Sequence, residues 1–548
     1  MDSYQTAALS ISAAIVFTVG VLFLWSGYYK GRSKFTNDNI FYIKKWAYIL
    51  TVLSVNVAGC VFVYYFNSLD VIVYVILALK SKDLVMSVIF TFNMLYKHLF
   101  TNLSIPTVTV TDEIKRVVAF VPAYTESIDQ LTKTVDSIFT NAGSPNYIMT
   151  CIVADGCERD YSSIIQNILS IKYLSYRNWL GNEISTKVLY GTRHGHHIMM
   201  IQKTSRVGKK DSIILVNDLF NRERQNIDTV NKNFQEQVSL DILTLFGISS
   251  FDYLFSTDAD TIIDPNTIVC LTDSIRKRNA IAVCGVVNVD KSSGNWFWNN
   301  LQNYQYLYGQ YTRRTTEDLV NQVLCLPGCI SMFLLCNRTI GAQQLYSEIP
   351  DTSDLTVSNV QYVGTDRRYT SSLIYSDSSS KIVMDTRCHA YTVPPQSIAA
   401  YISQRRRWCQ NTYFNTMINI IAPNVNFMLR VFCLVDYLRL SLVYFRLFNT
   451  LFFIYILATN FHVSNVTGLI PYIVVLTYPT IVFFLYSIFN GHLRAEWFNM
   501  AVSYLFNKVF IMISNVAIFT IMLWNIGSDS WSSQASVPLQ METVVTEN

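Results

Sequence analysis

Charge is what this sequence has least of: Asp, Glu, Lys and Arg make up 15% of its 548 residues, while 51% are hydrophobic. Soluble domains carry about a quarter charged residues, so an ordinary water-soluble globule is excluded and an integral membrane protein is expected. There is no strong excess of one sign either. A net charge of +4 is too small for a nucleic-acid-binding protein, and no nucleic acid is expected as a partner. The eleven cysteines contain no CxxC pair and no metal-like spacing, and most lie in apolar runs. They read as reduced, buried thiols, as in a domain facing the cytosol. No GxxxxGK[ST] loop occurs, which excludes the Walker type of phosphate site.

The apolar residues crowd into the first hundred and the last hundred and twenty positions. Ala7 to Leu24 is uncharged and long enough to span a bilayer; with no basic n-region before it, it reads as a retained helix rather than a signal peptide. Lys30, Arg32, Lys34, Lys44 and Lys45 follow, a cytosolic loop by the positive-inside rule. Trp46 to Phe66 spans again, and Val71 to Leu79, ending at Lys80-Ser81-Lys82, is a short third candidate. Three crossings are favoured over two. Val85 to Phe100 reads as a helix at the interface. At the other end Leu440 to Ala458, Ile470 to Phe489 and Met500 to Trp524 are membrane segments, with Gly491 to Glu496 a cytosolic turn. The last segment is expected to bend back so that the tail returns to the cytosol.

Between these ends, from about Thr111 to Thr392, the chain reads as an α/β domain. The apolar run Val117 to Val121 ends in Pro122-Ala123-Tyr124-Thr125-Glu126-Ser127 and passes into a helical pattern through Ile128, Leu131, Val135 and Ile138. Ile148 to Ala154 is a second strand, closed by Asp155-Gly156. Strand, turn, helix, strand is a nucleotide-binding pattern, and Glu126 and Asp155 both stand at strand ends, although a helix cap and a plain turn explain them as well. Gly208-Lys209-Lys210 opens a helix and suits a diphosphate or a solvated basic turn. Tyr253-Leu254-Phe255 ends in Ser256-Thr257-Asp258-Ala259-Asp260, two carboxylates one residue apart at a strand end, where a turn former is more common than a metal ligand. Ala280 to Val287 is a further strand, and Trp296 to Thr312 a helix rich in aromatics and amides. Val323 to Leu326 reads as a buried strand broken by Pro327-Gly328. Asp366 starts a helix, where an N-cap role competes with a catalytic one. On an amphipathic helix Gln404, Arg407 and Trp408 share one face while Arg405 and Arg406 point elsewhere; such juxtamembrane arginines also suit anionic lipid.

Seven motifs in order, VPAYTES at 121, ADG at 154, VGKKDS at 207, STDADT at 256, LPGCISMF at 326, GTDRR at 364 and QRRRW at 404, make the chain resemble the processive family 2 glycosyltransferases, chitin synthases above all. The resemblance implies a GT-A-type α/β glycosyltransferase domain inserted between N- and C-terminal transmembrane helices. It implies UDP-N-acetylglucosamine as donor, a growing polysaccharide chain as acceptor and product, Mn²⁺ or Mg²⁺ as cofactor, and a lipid bilayer, the plasma membrane, as host with the catalytic domain in the cytosol. Ala123, Tyr124, Thr125, Glu126, Asp155, Lys209, Asp258 and Arg407 would then bind the nucleotide sugar, Asp260 and Asp258 the metal, and Asp366 would be the catalytic base. Pro327, Gly328, Cys329, Gln404 and Trp408 would form the acceptor site, and Trp531 and Ser533 a gating segment.

Two departures stand out. Thr365 replaces the acid that usually precedes the catalytic Asp, so Asp366 should depend more on burial for its basicity. Ser532, Ser533 and Gln534 replace the usual Gly-Thr-Arg after Trp531. The expected partition is 1–110 N-terminal membrane and interface helices, 111–400 the GT-A domain, 401–439 amphipathic interface helices, 440–526 channel helices and 527–548 the gating segment and tail. A hyaluronan synthase using UDP-glucuronate as well is the nearest alternative, and a nucleotide-regulated transporter the alternative from another class. A homo-oligomer is left open.

Overall fold

The computed structural model describes residues 36–527 apart from 67–68, 101–113, 144–145, 157–158, 225–226, 293, 350–354, 362–363 and 460–462. The expected span Ala7 to Leu24 and the segment carrying Trp531 and Ser533 lie outside the described residues.

The centre of the molecule is one ten-stranded mixed sheet. Its strands are β1 (Lys115–Ala123), β2 (Asn146–Ala154), β3 (Asn167–Arg177), β4 (Glu183–Arg193), β5 (His196–Lys203), β6 (Tyr253–Ser256), β7 (Thr261–Ile263), β8 (Ala282–Val289), β9 (Ser331–Leu334) and β10 (Ile382–Thr392). Across the sheet they run β3-β4-β5-β2-β1-β6-β9-β8-β10-β7. β1 is parallel to both β2 and β6, and β2 to β5, so the carboxyl ends of four neighbouring strands open on one edge. Ligands of open α/β sheets bind at that edge.

The pleat of β1 shows why these runs are continuous in apolar residues. Val118 and Phe120 enter the core on one face, with Ile213, Phe234, Val238, Tyr369 and Leu373 from the covering helices. Val117, Ala119 and Val121 enter the other, with Leu131, Val135, Ile138, Ile268 and Leu271. A strand covered on both faces has no polar side to alternate with. The helix after β1, Ile128–Phe139, starts with a capping box in which Ser127 and Gln130 satisfy each other's backbone N–H groups.

Several expectations are corrected. The stretch between Asp155 and Arg206, for which the sequence suggested no element, forms the antiparallel strands β3, β4 and β5. Val323, Leu324 and Leu326 are buried, with Cys325 partly exposed, but the stretch is not a strand. Its N–H groups are satisfied irregularly: Val323 donates to the Ile382 carbonyl (3.1 Å), Leu324 to Glu317 (3.1 Å) and Leu326 to Thr370 (3.0 Å). Val71 to Leu79 and Val85 to Phe100 are not separate pieces but parts of one helix, Leu69–Phe100, with Lys80, Lys82 and Asp83 in its middle. Those charges keep it from being an apolar span.

Among the described residues two helices, Asp38–Phe66 and Tyr472–Phe489, are long and apolar enough to cross a bilayer. The expected crossing Leu440 to Ala458 is a 17-residue helix, Val443–Thr459, at the short limit for a span. The C-terminal segment bends by 58° between Trp497–Lys508 and Phe510–Trp524, a broken helix rather than a full reversal of direction. Its first half docks on the helix Trp296–Tyr308, where Ser503 accepts from the Tyr304 N–H (2.8 Å) and the Asn507 amide donates to the Leu301 carbonyl (2.5 Å). Its second half packs Val516, Phe519, Met522 and Leu523 against Ile49, Val52, Tyr413 and Tyr444.

Candidate active site

The carboxyl ends of β1, β2 and β6 bring the N-terminal motifs together. Ala123 ends β1 opposite Ala154 of β2, and the Asp155 N–H donates to the Ala123 carbonyl at 2.9 Å. Glu126 turns back so that its carboxylate accepts from the Tyr124 N–H (2.7 Å), while its own carbonyl accepts from Arg159 and Tyr161 (each 2.9 Å). The Arg206 guanidinium lies 4.1 Å over the Tyr124 ring and donates to its hydroxyl. Thr125 is exposed on the same turn.

Asp155 is engaged more tightly than its place in an Asp-Gly turn suggested. Its carboxylate accepts from the N–H groups of Val207 (3.0 Å) and Gly208 (2.7 Å) and from Lys203 Nζ (3.2 Å). Lys203 is fully buried, and it also reaches Asp211 (2.8 Å) and Ser212 (2.9 Å). The Gly208-Lys209-Lys210 turn, read from sequence as free backbone donors for a diphosphate, is therefore partly satisfied from within. Gly208, at φ 105°, lets the chain make that approach. Lys203 and Asp211 were missed; a single lysine ending the apolar run Ile198 to Ile201 was the only signal.

The Pro327-Gly328-Cys329 turn is pinned to the end of β6. Ser256 donates to the Gly328 carbonyl (3.2 Å) and Thr257 to the Cys329 carbonyl (3.0 Å), while Ser331 donates to that of Pro327 (2.6 Å). Over this turn Lys209 Nζ lies 2.6 Å from Asp258 and 3.3 Å from Asp366. The approach is so close that a β-carbon at Gly328 would stand 2.4 Å from Lys209 Nζ and 2.8 Å from each Asp366 oxygen. Asp366 is the first residue of the helix Asp366–Ser376; its N-cap is Thr365, so the Asp366 carboxylate is not spent on capping.

Electrostatics follow from that crowding. Burial pushes the Asp366 carboxyl above its ordinary range, Lys209 opposes this and Asp258 adds to it. Burial works against the Lys209 charge too, but Asp258 and Asp366 outweigh it and hold the ammonium above its ordinary value. Asp260 is pushed up to about 7, by burial and then by the negative charges of Asp258 and Glu126. Burial holds the Cys329 thiol well above its usual value, so it is protonated and no nucleophile. Among the described residues no group of three or more His, Cys, Asp or Glu side chains is arranged to hold a metal unaided.

Next to this centre lies an aromatic and cationic patch. The Trp408 ring is 6.0 Å from Tyr306, whose buried hydroxyl lies within electrostatic reach of Asp260, Cys329 and Gln404. Arg405 stacks 4.2 Å over Trp408, is 5.1 Å from the Tyr401 ring and donates to Gln302 (3.2 Å). This corrects the face assigned from helical spacing: Arg405 joins Trp408 because i and i+3 are neighbours on a helix as surely as i and i+4. Arg407 is not brought to the carboxylates. Burial alone lowers its pKa, and among the described residues it has no hydrogen-bond or ion-pair partner. Tyr306 and Gln302 were missed, although the density of aromatics and amides in Trp296–Tyr308 was their signal.

Comparison with known proteins follows the same lines. The family model described as chitin synthase matches residues 192–538. Chitin synthase 8 of Gibberella zeae is 26% identical over 344 residues, covering 58% of this chain and 51% of the relative. Chitin synthase 6 of Verticillium dahliae is 27% identical over 344 residues, covering 55% of this chain and 18% of the relative. Chitin synthase 7 of Gibberella zeae is 25% identical over 409 residues, covering 66% and 22%. The chain thus spans about half the length of the first of these and about a fifth of the others. Among solved structures, a mannosyltransferase from Pyrobaculum calidifontis in complex with GDP-Man and Mn²⁺ aligns over 81% of this chain and 99% of its own, at 12% identity and a TM-score of 0.40, too low to bear on fold or ligand. The match of the family model over more than half of the chain, on a sheet whose strand ends gather the motifs, makes the chain a member of the chitin synthase family.

Proposed function

We propose that this protein is a processive, inverting glycosyltransferase that polymerises N-acetylglucosamine from UDP-N-acetylglucosamine into β-1,4-linked chitin and passes the product across the membrane. The observation that carries this reading is the placement of Asp366 at a helix N-terminus, across the Gly328 turn from Asp258, with Lys209 between them. Family membership supports this choice of donor and product.

In this reading Ala123, Tyr124, Thr125, Glu126 and Asp155 line the nucleotide pocket, and the diphosphate lies near Lys209 and Asp258. Asp260, raised to about 7 by burial and then by the carboxylates of Asp258 and Glu126, is the group whose charge a divalent cation would stabilise. The oxygen-only donor set of Asp258 and Asp260 suits Mg²⁺ or Mn²⁺ completed by phosphate oxygens and water. When bound there, such an ion offsets charge on the departing UDP. Asp366 takes the proton from the acceptor 4-hydroxyl as its oxygen attacks the sugar C1. The C1–O bond to UDP breaks with its electron pair, and the configuration inverts. Lys209 steadies the same leaving charge. Gln404, Trp408 and the Pro327-Gly328-Cys329 turn line the acceptor, with a sugar ring stacked on the indole. Cytosolic residence of the sheet, with the apolar helices as exit path, completes the scheme.

The test is incubation of the purified full chain with UDP-N-acetylglucosamine alone. Insoluble, chitinase-sensitive polymer is expected. Strict dependence on added UDP-glucuronate would refute chitin as the product. Asp366→Asn is expected to bind UDP and lose polymer by about 10²- to 10⁴-fold, as for carboxylate bases generally. Full polymerisation by that variant would remove Asp366 as the base.

A further inference from the structure

The charges that interrupt the helix Leu69–Phe100 lie on a helix that packs against Phe427–Ser441, Val443–Thr459 and the π-helical turn Gly309–Arg314, within electrostatic reach of Lys508 on Trp497–Trp524. Lys82 pairs with Asp436. Asp83 is held by Arg439 at 2.7 Å and by Arg313 at 2.8 Å. Lys80 lies within electrostatic reach of Lys508, Arg446 and Arg439, and Arg446 within reach of Arg439 and Arg313. Six cations therefore converge on two carboxylates.

The two carboxylates are already engaged by Lys82, Arg313 and Arg439. Among the described residues Lys80, Arg446 and Lys508 have no carboxylate within ion-pair distance; Arg446 donates only to the Arg439 carbonyl (3.2 Å), and Lys508 stands 4.9 Å over the Tyr504 ring. The Nε–H groups of Arg313 and Arg439 are buried without an acceptor. One oxygen each of Asp83 and Asp436 is likewise buried without a hydrogen-bond donor, but two carboxylates do not balance six cations, and an added anion would offset the excess positive charge and accept from the unpaired Nε–H groups. On the same helices Leu438, next in sequence to Arg439, and Leu505, one helical turn before Lys508, are 46% and 67% exposed and offer apolar surface.

We propose that this cluster binds the headgroup phosphate of an anionic phospholipid. Phosphate oxygens accept from guanidinium and ammonium donors, several at once, and acyl chains lie along the exposed leucines. A free inorganic phosphate shares the first chemistry but not the second. The site joins the catalytic domain, through Arg313, to four helices on the membrane side.

The experiment uses the full chain in a neutral detergent, titrated with dioctanoyl phosphatidylserine, dioctanoyl phosphatidylcholine or inorganic phosphate while the thermal unfolding midpoint is read. Phosphatidylserine is expected to raise the midpoint saturably, phosphatidylcholine to leave it unchanged, and phosphate to act at concentrations at least about tenfold higher. Lys508→Gln, at an exposed position that the fold does not need, should weaken the phosphatidylserine effect about fivefold, and Lys80→Gln with Lys508→Gln correspondingly more. Equal action of phosphatidylcholine, or unchanged phosphatidylserine affinity in both variants, overturns the site. Phosphate acting as strongly as phosphatidylserine overturns the lipid as its source.

Discussion

Replacing Gly328 by alanine asks the most of the active-site geometry. The added methyl would stand 2.4 Å from Lys209 Nζ and 2.8 Å from both Asp366 oxygens. Ordinary contacts of a methyl carbon begin near 3.5 Å, so the carboxylate must retreat by roughly 0.7 Å and the ammonium by about 1 Å. Lys209 has four methylenes with which to yield. Asp366 has one, on the first residue of a helix, and cannot move without losing its aim. The backbone itself accepts alanine, since Gly328 is not in the left-handed region. A misplacement near 1 Å typically lowers turnover about 10²-fold, and that is the expected fall in polymerisation rate, with donor affinity less affected. The assay is incorporation of radiolabelled N-acetylglucosamine into insoluble polymer by purified protein, with donor binding measured by calorimetry. Gly309→Ala, where a β-carbon meets nothing within 4 Å, serves as the control. A Gly328→Ala enzyme working within threefold of the parent would show that Asp366 and Lys209 are not held as described.

Two further perturbations address the frame around the site. Lys203→Met leaves Asp155 and Asp211 buried without their ammonium and should cost about 3–5 kcal/mol, read as a large drop in thermal midpoint; adding Asp211→Asn should recover part of it, and no drop would deny the network its role. His389, stacked 4.2 Å from His492, has its pKa pushed down to about 4 by burial and by that neighbour. The unfolded chain, titrating near 6.5, takes up the proton first. Stability is therefore full above about pH 6.5 and is lost as pH falls toward 4, by at most about 3 kcal/mol. His389→Gln should flatten the fall in thermal midpoint between pH 7 and 5, and an unchanged slope would assign it to other groups.

Much was legible in the sequence because of what burial does to strands and what turns require. β1, β2 and β6 are covered on both faces, so they read as unbroken apolar runs, and their ends are marked by Glu126, Asp155 and Asp258. Motif order carried the family. β3 to β5 left no such mark, since β3 is an edge strand with Ile168, Leu169, Ile171 and Tyr173 exposed, and its pattern is set by the neighbour it pairs with. Helical spacing named Trp408 but misplaced Arg405, because a helix face acquires meaning only from what packs on it, here Tyr306 and Tyr401.

By itself, then, the order of residues determined that apolar ends flank an α/β sheet and which side chains stand at its strand ends, for those depend on local pattern. Only the tertiary structure decided that Lys209 spans Asp258 and Asp366, that Asp155 closes on the turn before Lys209, and that Lys80 comes within electrostatic reach of Arg446 and Lys508. Those contacts join residues separated by 49 to 428 positions, and charge interactions of that kind depend on distance through space, which no local pattern encodes.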